Sequence, residues 1–64
     1  MPLVEVNSSA IAAVGYENGV LAVVFHTSST VYTHHGVPRS VYLELMRAGS
    51  MGAYYNRFIR GRYR

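Results

Sequence analysis

The dipeptide Asn18-Gly19 is the sequence feature that most restricts the fold, because it separates two apolar runs at the spacing of a β-hairpin. One run occupies residues 10–16 and the other occupies residues 20–26. Both residues of an Asn-Gly pair tolerate positive φ angles, which the tightest hairpin turns require. The sequence therefore predicts two antiparallel strands joined directly by this turn.

The strand at residues 20–26 is predicted to lie inside a sheet, because it has apolar side chains on both faces. Because side chains alternate along a strand, Leu21, Val23 and Phe25 share one face, and Val20, Ala22 and Val24 share the other. Residues 30–34 are β-branched or aromatic and predict a third strand after the Thr27-Ser28-Ser29 turn. Residues 10–35 should thus form a three-stranded antiparallel meander. Residues 1–7 are expected to be either a lead-in or an edge strand.

The apolar period changes to that of a helix after Gly36. A stripe at three- and four-residue spacing predicts a helix at residues 38–48, formed by Val41, Tyr42, Leu45 and Ala48. Gly49 ends this helix and Ser50 caps a second one at residues 50–61. Residues 62–64 form a basic end. The predicted fold class is α+β, with the meander followed by two C-terminal helices packed on one face.

Length and composition limit the chain to a few classes of protein. Sixty-four residues make a single domain spanning residues 1–64, and half of them are apolar, which excludes wholesale disorder. The sequence contains no cysteine, so it has no disulfide framework and fits a reducing compartment. No apolar run approaches the roughly 20 residues of a membrane span, and the N-terminus does not resemble a signal peptide. We expect a cytoplasmic protein with no membrane association.

Charge is distributed unevenly along the chain. Residues 1–38 contain two glutamates and no arginine, for a charge of −2. Residues 39–64 contain six arginines and one glutamate, for a charge of +5 with histidines counted as neutral. A cationic end indicates an anionic partner, most commonly nucleic acid, although a basic terminal helix can also serve only to keep a domain soluble.

The candidate binding residues are four C-terminal arginines and two side chains on one strand face. Arginine suits phosphate because its planar guanidinium donates two parallel hydrogen bonds. Tyr32 and His34 share a strand face and are candidates for exposed groups that stack on bases. Tyr54 and Tyr55 lie on an aromatic helix face, and one of them, but not both, should be mostly buried. The arginines concerned are Arg57, Arg60, Arg62 and Arg64.

No arrangement of residues predicts catalysis, a cofactor or a metal. The three carboxylates, Glu5, Glu17 and Glu44, are far apart in sequence, and no nucleophile, base and orienting group occur together. The adjacent residues His34 and His35 point to opposite faces of a strand and cannot easily hold one ion. We therefore expect a protein that is not an enzyme and that has no metal site and no cofactor.

Short segments spread over almost the whole chain, in one order, resemble the KTSC domain. These segments are Val6-Asn7-Ser8-Ser9-Ala10-Ile11, Gly15-Tyr16-Glu17, Leu21-Ala22-Val23-Val24-Phe25, Val37-Pro38-Arg39-Ser40-Val41-Tyr42, Leu45, Ala48, Ser50-Met51-Gly52, Tyr54-Tyr55-Asn56, Ile59-Arg60 and Tyr63. The family is named for the C-terminus of some lysyl-tRNA synthetases and also exists as short stand-alone bacterial and phage-type proteins. The resemblance implies RNA as a partner. The family's central Tyr-x-Tyr is Tyr32-Thr33-His34 here, so His34 would have to replace the second tyrosine.

Two functional hypotheses follow from the sequence. The first is a non-enzymatic module that binds RNA or single-stranded nucleic acid through the C-terminal arginines. The second is a protein-interaction module, either a homo-oligomer or an adaptor that docks on a larger bacterial or phage-related complex. The second is favoured by Leu43, which points away from its helix stripe, and by the apolar outer face of the central strand.

Overall fold

A hairpin closed by Asn18 and Gly19 forms the centre of an antiparallel sheet in the computed structural model, which describes all 64 residues. The two turn residues have φ angles of 52° and 78°, as the sequence predicted for an Asn-Gly turn. In sequence order the strands are β1 (Val4–Glu5), β2 (Ile11–Glu17), β3 (Val20–Phe25) and β4 (Val31–His34). They lie in the order β1-β2-β3-β4, so that β3 is an interior strand, as predicted.

The sheet has four strands rather than the three of the predicted meander. The additional strand is β1, which pairs with β2 through Val4 opposite Val14 and Glu5 opposite Ala13. Of the two alternatives for residues 1–7, the edge strand is therefore the one observed. The sequence could not distinguish them because a two-residue strand is too short to show a side-chain alternation.

A β-bulge in β2 determines which side chains of this strand reach the core. Ile11 pairs with Phe25, and Ala13 pairs with Val24, so two steps along β2 match one step along β3. Without the bulge, Ile11 would share the face of Ala13, because alternate residues of a strand point the same way. The extra residue moves Ile11 to the opposite face, where it is fully buried.

Two helical segments follow the sheet, with bounds close to those predicted. Helix α1 (Arg39–Arg47) begins one residue after Pro38, which is in an extended conformation, with φ −64° and ψ 149°. Helix α2 (Met51–Tyr54) is capped by Ser50, whose Oγ accepts a hydrogen bond from the backbone N–H of Ala53 at 3.2 Å. The cap predicted at Ser50 is thus confirmed, and α1 ends just before the predicted stop.

Helix α2 continues directly into a π-helical turn, Tyr55–Ile59, and ends there rather than at residue 61. The N–H of Arg60 donates to the carbonyl oxygen of Tyr55 at 2.9 Å, which is the i to i+5 spacing of a π-helix. Arg60 is extended, and Gly61 has a φ of 80°, which breaks the helical path. The last residues consequently turn back toward the sheet.

The core lies between one face of the sheet and the two helices. Nine buried side chains form a single cluster, contributed by β2, β3, the loop before α1, and the helical segments: Ile11, Val14, Leu21, Val23, Val37, Leu45, Met51, Tyr55 and Ile59. The rings of Tyr16 and Tyr42 stack at 4.8 Å between centroids, and the Tyr16 hydroxyl donates to the carbonyl oxygen of Val37 at 2.6 Å. These contacts hold α1 against the sheet.

No helix covers the opposite face of the sheet. At Gly15 this face meets the N-terminal residues, since an added Cβ there would lie 2.8 Å from the carbonyl oxygen of Pro2. The amino group of Met1 lies 3.6 Å from Glu17 Oε1 in the only ion pair of the chain. Farther along this face, Val31 is 47% exposed, which leaves an apolar area open to solvent. Neither helix is long and apolar enough to cross a membrane.

Candidate functional site

The four arginines predicted as binding residues are all exposed and lie at the C-terminal end, on or beyond the π-helical turn. None of them forms an ion pair, because the only ion pair in the chain joins the N-terminus to Glu17. Their charges are therefore not neutralised by any carboxylate of the chain. An exposed cluster of unpaired guanidinium groups can bind phosphate or another anion.

Two of these arginines have defined side-chain contacts. The guanidinium group of Arg57 lies over the ring of Phe58, 5.4 Å from the ring centroid, in a cation–π arrangement. The guanidinium group of Arg60 donates a long hydrogen bond, 3.5 Å, to Oδ1 of Asn56 one helical turn earlier. Arg57 and Arg60 thus have different neighbours although they are only three residues apart.

Arg60 and Tyr32, which the sequence placed in separate parts of the candidate site, line one cleft of ≈ 440 Å³. We call it the aromatic cleft. Its lining comes from the end of β3, the turn that follows, β4 and the π-helical turn. The lining residues are Phe25, Thr27, Ser28, Tyr32, Tyr55, Asn56 and Arg60. The fold thus joins one predicted cation and one predicted aromatic side chain in the same site.

The three aromatic rings of the cleft contact one another edge to face. Phe25 is central, with ring centroids 5.8 Å from Tyr32 at 72° and 5.1 Å from Tyr55 at 75°. Edge-to-face packing is a favoured geometry for aromatic pairs and restricts the orientation of each ring. Tyr55 is 5% exposed, whereas Tyr32 is 45% exposed, so Tyr32 forms the outer edge of the cleft. Of the two tyrosines predicted on the helix face, Tyr55 belongs to the buried core, and Tyr54 is partly buried against it.

His34 lies behind the cleft and is half-buried rather than an exposed stacking group. Its Nδ1 is 3.1 Å from the carbonyl oxygen of Tyr63, and its Nε2 is 2.7 Å from the hydroxyl oxygen of Tyr55. A carbonyl oxygen only accepts, so Nδ1 carries a hydrogen, and in the neutral ring Nε2 accepts from the Tyr55 hydroxyl. Of the predicted pair on this strand face, only Tyr32 is open to a ligand.

The same contacts hold the C-terminal residues beside β4. The N–H of His35 donates to the carbonyl oxygen of Arg64, next to the bond between His34 and Tyr63. Tyr63 is half-buried against the core. The C-terminal backbone is therefore attached to the end of β4 through the carbonyl oxygens of Tyr63 and Arg64.

Burial raises the pKa of two tyrosines above the ordinary value of 10.0. For Tyr55, burial raises the pKa, and the nearby charge of Arg60 partly opposes this rise. For Tyr54, burial again raises the pKa, and its hydroxyl donates a hydrogen bond to Glu44 Oε1 at 3.2 Å, which raises it further. Both phenols donate a hydrogen bond, that of Tyr55 to His34 and that of Tyr54 to Glu44.

A second cleft, of ≈ 460 Å³, lies between the loop after β1 and the junction of the two helices. It has no charged residue and no aromatic ring in its lining, which includes Val6, Ser8, Met46 and Ser50. The Ser8 Oγ accepts hydrogen bonds from two backbone N–H groups, those of Ala10 and Ile11. The hydroxyl group of Ser8 therefore stabilises a turn, and that of Ser50 caps helix α2.

The carboxylates and histidines do not form a cluster. Glu5 is on β1, Glu17 ends β2, and Glu44 is on α1, where it bonds to Tyr54 rather than to an arginine. No group of three histidine, cysteine, aspartate or glutamate side chains is arranged to hold a metal ion. The three carboxylates are therefore on three different elements of the fold.

Sequence reasoning missed most members of the aromatic cleft. Phe25 was assigned to a strand face, and residues 27–29 were interpreted only as a turn. Asn56 was given no role. The available signal was the run of hydroxyl residues between two aromatic strand ends, Phe25 and Tyr32. This run indicates a site only once the fold shows that the π-helical turn lies next to it.

The fold and the cleft define a small α+β domain with a four-stranded antiparallel sheet and a basic C-terminal end. A model of the KTSC domain matches residues 7–63, and the chain therefore belongs to the KTSC domain family. The resemblance inferred from the sequence is thus confirmed.

A solved structure supports this assignment. The crystal structure of the KTSC domain protein YPO2434 from Yersinia pestis has a TM-score of 0.91 with this chain at 29% sequence identity. The match covers 98% of this chain and 90% of the other. No curated protein matches the chain in sequence.

Proposed function

We propose that this protein is a non-enzymatic module that binds RNA or another single-stranded nucleic acid through its C-terminal arginine cluster. The observation that carries the proposal is that Arg57, Arg60, Arg62 and Arg64 are all exposed and have no carboxylate partner. Such groups release counterions when they bind phosphates, and this release is a main source of affinity for nucleic acids. A cytoplasmic location, where RNA is abundant, is part of the proposal.

Single strands are favoured over duplexes because an exposed aromatic side chain lies close to the cationic end. Tyr32 is on the same cleft as Arg60. A base can stack on such a ring only when it is not paired within a duplex.

The proposal is tested by titrating a fluorescently labelled single-stranded RNA with the protein at two salt concentrations. If the four arginines each neutralise one phosphate, the logarithmic salt slope should be about −2.8, a loss of roughly 50-fold between about 50 and 200 mM salt. Replacing all four arginines with alanine should abolish most of the affinity at low salt. The proposal fails if the wild-type protein does not bind at the lower salt concentration.

A matched control separates the cluster from net charge. Arg39 and Arg47 are the two exposed arginines of α1, outside the C-terminal end. The double variants Arg39→Ala/Arg47→Ala and Arg60→Ala/Arg62→Ala each remove two positive charges, and their affinities for RNA are compared. The second variant should lose much more affinity than the first. Equal losses would show that the interaction depends on overall charge and not on this site.

The alternative function is a protein-interaction module, and the open face of the sheet favours it. Val31 is 47% exposed there, beside the half-buried Val20 and Val24. Exposed apolar areas of this kind are common at protein interfaces. Light scattering across a range of protein concentrations tests for a homo-oligomer. A constant monomer mass would remove self-association from consideration, and a lack of RNA binding together with a dimer mass would favour this alternative.

A further inference from the structure

We infer that the aromatic cleft binds one nucleotide of the strand, with its base against Tyr32 and its phosphate at Arg60. This inference rests on the proposed function and goes further, because it names the site at which a base is held. The cleft volume of ≈ 440 Å³ falls within the roughly 300–1,000 Å³ typical of small-molecule sites.

The aromatic end of the cleft is a supported platform. Tyr32 is in edge-to-face contact with Phe25, Phe25 is in edge-to-face contact with Tyr55, and Tyr55 is hydrogen-bonded to His34 at 2.7 Å. Each contact restricts the orientation of the ring next to it. Tyr32 is nevertheless 45% exposed, so part of its ring remains accessible to a planar ligand. A base needs only a π face to stack on, and this contact does not depend on base identity.

The polar end of the cleft provides donors for a phosphate and a sugar. Arg60 is exposed, and the only hydrogen bond of its guanidinium group within the chain is a long one, 3.5 Å, to Asn56, which also lines the cleft. The Ser28 Oγ accepts from the backbone N–H of Thr30 at 3.1 Å, which leaves its hydroxyl hydrogen available to donate. Guanidinium and hydroxyl donors are typical partners of phosphate oxygens.

The charges around the cleft favour an anionic ligand. None of its lining residues is acidic, and the three carboxylates of the chain are on β1, at the end of β2 and on α1. The other cleft offers a comparison, because it is of similar volume but has neither a cation nor an aromatic ring. A ligand with a flat ring and a phosphate should therefore select the aromatic cleft.

The first experiment measures binding of a single-stranded RNA to Tyr32→Ala. Loss of base stacking should weaken the affinity by roughly five- to 150-fold. Phe58→Ala is the matched control, because Phe58 is exposed to a similar degree but is not part of the cleft. Its affinity should change by less than about twofold. Similar losses in the two variants, or no loss in Tyr32→Ala, would overturn the inference and leave the proposed function standing.

A second pair of variants tests the phosphate end. Arg57→Ala removes an exposed cation from the π-helical turn and Arg60→Ala removes one directly after it, but only Arg60 lines the cleft. We expect Arg60→Ala to bind the RNA several-fold more weakly than Arg57→Ala. Equal affinities would show that these arginines contribute only general charge, and would overturn the placement of a phosphate in the cleft.

The third experiment uses the unmodified protein and adenosine 5′-monophosphate, and it separates failure of the inference from failure of the proposed function. In a ¹H–¹⁵N titration, amide shifts should concentrate at Thr27, Ser28 and Asn56 and be absent at Gly49 and Ser50 of the other cleft. Such shifts without any RNA binding would retain the nucleotide site and overturn the proposed function. RNA binding without shifts at the cleft would overturn the nucleotide site and retain the proposed function. If neither RNA binding nor shifts are observed, the nucleotide site and the proposed function are both overturned.

Discussion

The C-terminal helical segment has large apolar side chains on two sides, one buried in the core and the other exposed to solvent. Tyr55 and Ile59 are 5% and 0% exposed, whereas Phe58 is 40% exposed and Arg57 lies over its ring. At the roughly 100° per residue of an α-helix, Phe58 would lie on the same side as the buried pair. The π-helical turn has more residues per turn, so each residue advances by a smaller angle and Phe58 rotates outward. Local helix geometry, and not residue type, therefore decides which aromatic side chain is available at the surface.

The largest expected effect comes from truncating the buried side of this segment. Ile59→Ala should reduce the free energy of unfolding by about 2–5 kcal/mol, because it removes buried methyl groups and leaves a cavity. Urea denaturation followed by circular dichroism measures this change. Phe58→Ala serves as the control and should cost less than about 1 kcal/mol, most of it from the cation–π contact with Arg57. Equal losses would contradict the assignment of the two sides.

A smaller effect on the free energy of unfolding is expected where helix α2 contacts Ala10, just before β2. A Cβ added at Gly52 would lie 2.9 Å from the Cβ of Ala10, so Gly52→Ala should force the helix away and cost about 1–3 kcal/mol. Gly49 lies three residues earlier with nothing within 4 Å of an added Cβ. Gly49→Ala should therefore be neutral or stabilise the protein by up to about 1 kcal/mol. A thermal melt of both variants checks this pair.

The hydrogen bond between Tyr55 and His34 should contribute less to the free energy of unfolding than the packing at Gly52 does. Tyr55→Phe keeps the ring in the core but removes the donor to His34 Nε2, at a cost of about 0.5–1.5 kcal/mol. Tyr32→Phe is the control and should leave stability unchanged, since the Tyr32 side chain is exposed and its hydroxyl is solvated. If both variants are equally stable, the bond to His34 contributes nothing measurable to folding.

Tyr55 should also make stability depend on alkaline pH. Its pKa in the folded protein is raised by burial above the ordinary value of 10.0, so the folded state holds this proton more tightly than the unfolded state. The resulting stability is fully present below about pH 10 and is lost as pH rises through the higher folded-state pKa. Urea midpoints at increasing pH should therefore fall more steeply for the wild-type protein than for Tyr55→Phe.

The smallest effect on stability is expected on the exposed side. Arg60→Ala removes a side chain with one long hydrogen bond and no ion pair, so its free energy of unfolding should change by no more than about 0.5 kcal/mol. The same variant should lose affinity for single-stranded RNA. A large loss of stability in Arg60→Ala would show that this residue supports the fold and is not reserved for a ligand.

Much of the fold could be predicted because its signals are local. The Asn18-Gly19 turn, the capping Ser50 and the helical stripe on α1 each depend on residues close together in sequence, and each occurs where expected. The unpaired arginine cluster was also visible, since charge is a property of composition. The fourth strand was less visible, because two residues cannot display a period.

The parts that could not be predicted depend on how distant segments meet. Ile11 faces the core only because a bulge forms against β3, and Phe58 faces solvent only because the helix widens at Tyr55. Neither the β-bulge nor the π-helical turn has a strong local signal in the sequence.

By itself, the sequence determined a sheet, two helices and a cationic C-terminus, because hairpin turns, helix caps and apolar periods act over a few residues. Only the tertiary structure decided that Arg60 and Tyr32 share a cleft with Phe25 and Tyr55. These residues are up to 35 positions apart, from 25 to 60, and their proximity depends on the direction in which the helical segment crosses the sheet. That direction is set by core packing over the whole domain, and no short segment encodes it.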